Sequence, residues 1–428
     1  MKAGIAHIDI TPPLGTPLAG SCTLRAASKV LDRLVAQALV LEQDGRRYAI
    51  VAADLLGYDE RMVARLRSFC KARIGIGFLL CNASHAHSCP DAYNGFQIYT
   101  DRRYLAARKR YQCALEFKLR RVLAAAARQL QPVTLRYGTG RACFGINRRR
   151  PWNGEWAMMP NPKGFHDKTV TVFEFAAAAS GEPLAVLISY ACHPTTRYAT
   201  EVSADYPGVA RRIIEKRTGA MAMFLQGACG DIRPNVVQPG SRPARFRSGT
   251  QKDVDRCGRE LGAEVLQVLR RPMKSLDPLL AARETSVALP FDRLPTADGL
   301  RVFRDTHHEH ELRVVWANRM LRRLQQGGLA KGLPTEVQLL RFSRGHALLA
   351  TGHELCNGYV PLFQRQAKGT KLTVLGYTNA CRGYIPTRQG RLEGGYEGQR
   401  SIYNFGLPAP FRPSVESVLV GAARRVLR

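Results

Sequence analysis

The stretch IGFLLCNASHAHSCP, residues 76 to 90, places a short apolar run directly before a cluster of polar side chains. An apolar run of this length, bounded by turn residues, is typical of a buried strand. The same pattern, with His, Asp, Glu or Tyr beside Gly or Pro, returns in LAVLISYACHPTT (184–196), MAMFLQGACGDIRPN (221–235), HALLATGHELCNGY (346–359) and LTVLGYTNACRGYIPT (372–387). Because α/β enzymes present their chemistry at strand ends, we predict an α/β fold of mixed β-sheets with flanking helices.

The remaining segments fit one catalytic unit. Asp44-Gly45 joins two apolar runs and predicts a tight hairpin. Apolar spacing predicts helices within 58–74, 101–130 (clearest from Ala114 to Leu130), 203–217, 251–271 and the final PSVESVLVGAARRVLR, whereas 146–166 and 236–250 are predicted to be loops. We expect a single domain over residues 1–428, with a helical insertion at about 293–333.

The composition excludes several classes of protein. The chain has 64 Lys and Arg against 34 Asp and Glu, a net charge of +30, but no nucleic-acid motif, so we expect nonspecific attraction to anions rather than sequence readout. No run of about 18 apolar residues predicts a membrane span, and the start lacks the apolar stretch of a signal peptide. The 11 cysteines do not suggest a disulfide framework, and we expect a reducing, cytoplasmic location. The oligomeric state is left open.

The histidine clusters suggest a metal site. His85 and His87 are two residues apart, so in an extended segment both rings project from one face and can reach one centre. Pro194 keeps His193 out of a helix, and Glu354 follows a Gly-His pair at a similar strand end. Zinc chemistry requires neutral imidazoles and an anionic oxygen ligand. From spacing alone, a zinc site and a set of unrelated structural turns both remain open.

The order of these motifs resembles the neutral/alkaline non-lysosomal ceramidase N-terminal domain family. The resemblance begins at GIAHIDITPPLG and continues through SHAHSCP, GINRRRP, YACHPTT, SADYPG, QGACGDIRPN, GHELCNGY and GYIPTRQGRLEGGYE, which together span nearly the whole chain. Each motif is weak by itself, but eight in sequence order indicate homology. The chain leaves no room for the immunoglobulin-like C-terminal domain of full ceramidases, and we expect none.

The resemblance implies a role for each matched residue. It implies a Zn²⁺ ion held by His85, His193, Glu354 and Tyr396. His87, Arg148 and Tyr384 would lie around the substrate carbonyl and stabilise the oxyanion that develops there. The acids Asp54, Asp205 and Asp231 would orient the ligand histidines or hold backbone turns.

One departure from the family pattern concerns Arg233, which stands where ceramidases carry a serine tied to amide hydrolysis. A guanidinium is always charged and cannot act as a nucleophile, so we expect hydrolysis to use water activated by zinc. Arg233 would then bind a carboxylate or phosphate of the substrate. The alternative is that Arg233 turns away and pairs with a neighbouring acid.

These observations lead to a hypothesis about the reaction. We expect a zinc-dependent hydrolase that cleaves a C–N amide bond in a small polar or anionic acyl compound. Ceramide is disfavoured as substrate because the sequence shows no apolar lip for an acyl chain. Two alternatives remain: an esterase, lactonase or acyl-transfer enzyme that uses the same groups, and a catalytically silent metal- or anion-binding protein.

Overall fold

The structure is a computed structural model that describes residues 1–20, 25–93 and 102–428. Its strands are Lys2–Asp9 (β1), Lys29–Val30 (β2), Val35–Gln43 (β3), Arg46–Ala53 (β4), Ile76–Ala83 (β5), Gln131–Arg141 (β6), Gly145–Trp152 (β7), Glu155–Asn161 (β8), Thr169–Ala177 (β9), Pro183–Tyr190 (β10), Glu201–Val202 (β11), Met221–Gln226 (β12), Ile232–Pro234 (β13), Lys274–Ser275 (β14), Ala281–Pro290 (β15), Gly332–Ser343 (β16), His346–Thr351 (β17), Glu354–Leu355 (β18), Lys371–Leu375 (β19) and Tyr384–Ile385 (β20).

The helices are Glu60–Ile74 (α1), Arg102–Arg128 (α2), Asp205–Thr218 (α3), Gln251–Arg270 (α4), Ala297–Thr306 (α5), Glu311–Gln325 (α6), Tyr359–Gln364 (α7), Arg388–Glu393 (α8), Ile402–Phe405 (α9) and Val415–Leu427 (α10), with a π-helical turn at Tyr396–Arg400. No helix in these described ranges is both long enough and apolar enough to cross a membrane.

Two mixed sheets form the centre of the fold. The larger has the order β12-β10-β9-β6-β1-β3-β4-β5, with β14 beside β6, and the smaller has the order β15-β16-β17-β19. Parallel pairing joins β4 to β5, β10 to β12 and β17 to β19, whereas the other neighbours along these two orders are antiparallel. The prediction of an α/β fold with mixed sheets is therefore confirmed.

The sheets are stacked face to face between layers of helices. Along β3 the side chains alternate between two apolar clusters, with Leu39 and Leu41 in one and Ala38 and Val40 in the other. The first cluster draws its core residues from the two sheets and adjoining loops, and so fills the space between the sheets. Helices α1 to α4 pack on the outer face of the larger sheet, and α10 packs on the smaller one.

A buried asparagine draws three strand ends together. The Asn82 side chain, at the end of β5, accepts a hydrogen bond from the backbone N–H of Gln226 (2.7 Å), at the end of β12. It donates to the carbonyl oxygen of Gly376 (2.8 Å), which follows β19. The polar clusters that come after these strands therefore meet at one place.

Most predicted elements are present, with one correction. The Asp44-Gly45 turn joins β3 to β4 as expected, and the five predicted helical segments correspond to α1, α2, α3, α4 and α10, although residue 101 lies outside the described residues. Helices α5 and α6 lie in the interval predicted as an insertion. The prediction of a loop at 146–166 is wrong, because strands β7 and β8 form an antiparallel hairpin there.

Candidate metal centre

The strand ends bring three histidines and one carboxylate together. His85 follows β5, His193 follows β10 and Glu354 begins β18, and all three side chains are buried. Potential ligand atoms of His85, His87 and His193 lie within 4.8 Å of one another, which is compact enough for one metal ion. The rings of His85 and His193 have centroids 4.9 Å apart.

Backbone carbonyls orient all three rings. Each Nδ1 lies against a carbonyl oxygen: that of Leu56 for His85 (2.6 Å), Gly20 for His87 (3.1 Å) and Cys229 for His193 (2.6 Å). A carbonyl oxygen only accepts, so each Nδ1 must carry the proton and donate it. In a neutral ring the Nε2 atom then presents a lone pair, which is the form that binds metals.

Glu354 faces two of these lone pairs. Its Oε2 atom lies 3.0 Å from Nε2 of His193 and 3.2 Å from Nε2 of His85, and it accepts a hydrogen bond from the Tyr377 hydroxyl (3.4 Å). Burial lowers the pKa of His193 to about 4, and the Arg148 guanidinium acts in the same direction. Burial raises the pKa of Glu354, but the contacts with His85 and His193 in their protonated forms outweigh it and hold this pKa well below the usual range.

This arrangement favours a proton or a metal ion between the carboxylate and the imidazoles. A carboxylate oxygen and the lone pair of a neutral imidazole repel each other at 3 Å unless a proton or a metal ion lies between them. Nε2 of His85 and Nε2 of His87 are both buried and have no hydrogen-bond partner, and a buried polar atom without a partner is costly. The donor set of imidazole nitrogens and a carboxylate matches the preference of zinc.

A second group of predicted residues lies beside the histidines. Arg148, on β7, donates from Nη2 to the Tyr384 hydroxyl (3.0 Å) and from Nε to Glu397 (2.7 Å). The rings of Tyr384 and Tyr396 have centroids 5.3 Å apart, and β18 pairs with β20 so that Glu354 lies opposite Tyr384. The Tyr396 hydroxyl accepts a hydrogen bond from Nδ2 of Asn404 (3.1 Å).

Two further residues of this group, Glu397 and Tyr377, were not predicted from the sequence. Glu397 is buried and accepts hydrogen bonds from both Arg148 and Arg149. Nη1 of Arg149 donates to it at 2.9 Å. Its position directly after Tyr396 was the available signal. Tyr377 contacts Glu354 and lies in the quoted stretch 372–387, but nothing in that stretch separates it from the other polar residues.

Two of the predicted acids hold backbone turns. Asp205 accepts hydrogen bonds from the backbone N–H of Thr196 (3.0 Å) and from its hydroxyl (2.6 Å), and so supports the turn that follows His193. Asp231 accepts from the backbone N–H of Asn357 (2.7 Å), three residues after Glu354. Both acids are therefore placed to position neighbouring segments of the centre.

The third acid, Asp54, forms an ion pair. Its Oδ2 atom accepts from Nη2 of Arg211 (2.5 Å) and from the backbone N–H of Val35 (2.9 Å). Asp54 also immediately precedes the segment that provides the carbonyl oxygen of Leu56 to His85.

The cysteines of the polar clusters are structural. Cys89, Cys192, Cys229, Cys356 and Cys381 are free and buried. Burial raises the pKa of Cys229, although hydrogen bonds with Tyr377 and Gln226 lower it. A thiol with a raised pKa is a poor nucleophile at neutral pH.

Comparisons with known proteins agree with this architecture. Residues 1–259 match the family model for the neutral/alkaline non-lysosomal ceramidase, N-terminal. The fold is similar to that of the neutral ceramidase from Pseudomonas aeruginosa, with a TM-score of 0.74 and 19% identity, covering 100% of this chain and 74% of that one. A second similar structure, of a ceramidase complexed with C2, has a TM-score of 0.72 and 18% identity, with the same coverage. No curated protein matches the sequence.

Proposed function

Because this chain belongs to the neutral/alkaline non-lysosomal ceramidase family, we propose that it is a zinc-dependent hydrolase that cleaves a C–N amide bond in a small polar acyl compound. The observation that carries the proposal is the buried contact of Glu354 with His85 and His193, whose Nε2 atoms present lone pairs to the carboxylate when the rings are neutral. A zinc ion is the charge that would stabilise this contact.

The zinc ligands would be Nε2 of His85, Nε2 of His193, the Glu354 carboxylate and the Tyr396 hydroxyl. A potential ligand atom of His87 lies in the same compact group, but we assign this residue to proton transfer and not to the zinc. Bound zinc would act as a Lewis acid on the substrate carbonyl and would lower the pKa of water at the site.

Arg148 and Tyr384 are placed to stabilise the oxyanion. The Tyr384 hydroxyl accepts a hydrogen bond from Arg148 and donates its own proton to Glu354. With Glu354 engaged by zinc, that proton would be available to the substrate oxygen. Burial and the nearby Glu354 raise the pKa of Tyr384 well above its usual value, so the hydroxyl keeps that proton at neutral pH. Donors held in a buried site stabilise developing charge without reorganising.

His87 is suited to transfer the proton. Its Nδ1 proton is held by the carbonyl oxygen of Gly20, so the partnerless Nε2 can accept a proton but cannot donate one. Burial and the two other imidazoles lower its pKa well below the usual value, so the ring is neutral and can accept a proton but is a weaker base than a free imidazole. Nε2 of His87 would take a proton from the attacking water and deliver it to the amine nitrogen as the C–N bond breaks.

We also propose a small-molecule partner and a reducing, cytoplasmic compartment. The free thiols of ten cysteines within residues 1–20, 25–93 and 102–428 support that compartment.

The test is hydrolysis by zinc-loaded protein of paired substrates that differ only in the bond. Short N-acyl amines, their O-acyl counterparts and ceramide would be assayed together, with products identified by mass spectrometry. Preferred hydrolysis of the short amides supports the proposal. Turnover of esters alone would make the protein an esterase, preferred turnover of ceramide would refute the small substrate, and bound zinc without any turnover would indicate a binding protein.

A further inference from the structure

Arg233 is a half-buried arginine without an acidic partner in the described part of the chain. Its Nη2 donates only weakly to the carbonyl oxygen of Thr195 (3.4 Å), and its buried Nε has no hydrogen-bond partner. Two other buried arginines each contact a carboxylate directly: Arg148 contacts Glu397, and Arg211 contacts Asp54. The predicted alternative, in which Arg233 pairs with a neighbouring acid, is therefore not what these residues show.

The strand register places Arg233 on the same face as Arg148. Residue 233, on β13, lies opposite Ile146 of β7 in an antiparallel pair. Side chains two residues apart on a strand share one face, so Arg233 and Arg148 project from the same side. The carbonyl oxygen that Arg233 contacts belongs to Thr195, two residues after the proposed ligand His193.

The surroundings hold the guanidinium in place without neutralising it. The ring of Phe246 lies 4.3 Å from its central carbon, which provides a flat surface for the guanidinium plane. Burial lowers the pKa of Arg233 to about 10 and the nearby Arg148 adds to the effect, whereas Cys192 and Asp205 oppose it without a direct ion pair. At neutral pH the group is still charged, so Arg233 provides a positive charge near Arg148 and an Nε donor that has no hydrogen-bond partner.

We propose that Arg233 binds an oxyanion of the substrate, a carboxylate or a phosphate, and thereby makes the enzyme selective for anionic acyl compounds. This inference rests on the proposed amide hydrolysis for the identity of the substrate, but the anion site itself can be tested by binding alone. A guanidinium gives carboxylates and phosphates short, charge-assisted hydrogen bonds, whereas a neutral group of the same shape receives only ordinary ones.

The experiment compares three ligands that share an N-acetyl group. Zinc-loaded protein would be titrated calorimetrically with N-acetylglycine, with N-acetylglycinamide, which replaces the carboxylate by a neutral amide of similar shape, and with N-acetyl-O-phosphoethanolamine. The variants are Arg233→Gln and Arg245→Gln. Arg245 is an exposed arginine next to Phe246, so its loss changes the net charge equally and controls for long-range attraction.

The expected result is that the wild type binds at least one of the two anions about 10- to 100-fold more tightly than the neutral amide. Arg233→Gln should lose this preference and Arg245→Gln should keep it. The anion with the higher affinity identifies the group as carboxylate or phosphate. Retention of the zinc-dependent thermal shift would show that Arg233→Gln is folded.

Equal binding of charged and neutral ligands by the wild type would overturn the inference. So would an equal loss of preference in both variants, or no binding of either anion at tens of millimolar. An anion preference that depends on Arg233, found without hydrolysis of any amide, would support the anion site and refute the proposed reaction. Amide hydrolysis without an anion preference would support the proposed reaction and refute the anion site.

Discussion

Zinc should stabilise the folded protein by a measurable amount that depends on His193. In the folded chain Glu354 Oε2 lies 3.0 and 3.2 Å from two imidazole nitrogens, an arrangement that the unfolded chain does not offer. Zinc at about 100 times its dissociation constant would contribute about 2.7 kcal/mol to folding. For a chain of 428 residues, an unfolding entropy of about 2.1 cal/mol/K per residue corresponds to roughly 0.9 kcal/mol/K. The melting temperature should therefore rise by about 3 °C.

Differential scanning calorimetry of chelator-treated protein, with and without added zinc, measures this shift. His193→Gln should abolish it. His346→Gln is the matched control, because His346 is also a buried histidine but lies on β17, where it contacts Ser343 and Tyr137. The proposed zinc site is refuted if zinc leaves the wild-type melting temperature unchanged or if His193→Gln responds as the wild type does. A shift with another divalent metal but not with zinc would refute the identity of the ion.

Three further substitutions separate chemistry, stability and metal affinity. Tyr384→Phe removes the proposed oxyanion donor, so kcat should fall about 10²- to 10³-fold with zinc content unchanged; unchanged kcat would exclude the role. Glu397→Gln leaves Arg148 and Arg149 without their shared counter-charge, so urea unfolding should show a loss of about 3–5 kcal/mol; a loss below 1 kcal/mol would contradict the importance of this contact. Asp205→Ala frees the turn after the second ligand histidine, so competition with a chelator should show zinc affinity reduced about 10- to 100-fold, and wild-type affinity would show that the turn holds without it.

Local sequence signals were sufficient where short-range physics decides the structure. The Asp44-Gly45 turn takes φ values of 52° and 71°, which suit the tight hairpin that this residue pair predicts. The helix predicted most clearly, from Ala114 to Leu130, corresponds to the second half of α2. Apolar spacing reports such elements because the residues that form them are neighbours in the chain.

The hairpin at β7 and β8 shows where local signals fail. Charged and turn-forming residues predict a loop at 146–166. Arg148 and Arg149 are instead buried in a strand, because Glu397, 249 and 248 residues away, contacts both and Glu393 pairs with Arg149 as well. A contact between residues so far apart in the chain cannot be predicted from local composition. The composition of 146–166 therefore predicts a loop where the structure has a hairpin.

The metal centre shows the same difference between local and long-range information. The sequence determined which residue types end the strands, and the order of its motifs was enough to identify the family and to nominate His85, His193, Glu354 and Tyr396; their role as zinc ligands stays a prediction. Only the tertiary structure decided that backbone carbonyls orient the histidines and that Arg233 contacts the carbonyl oxygen of Thr195 without a direct ion pair. These outcomes depend on strands and loops that are distant in the chain and meet only when the two sheets pack, so no local pattern can encode them.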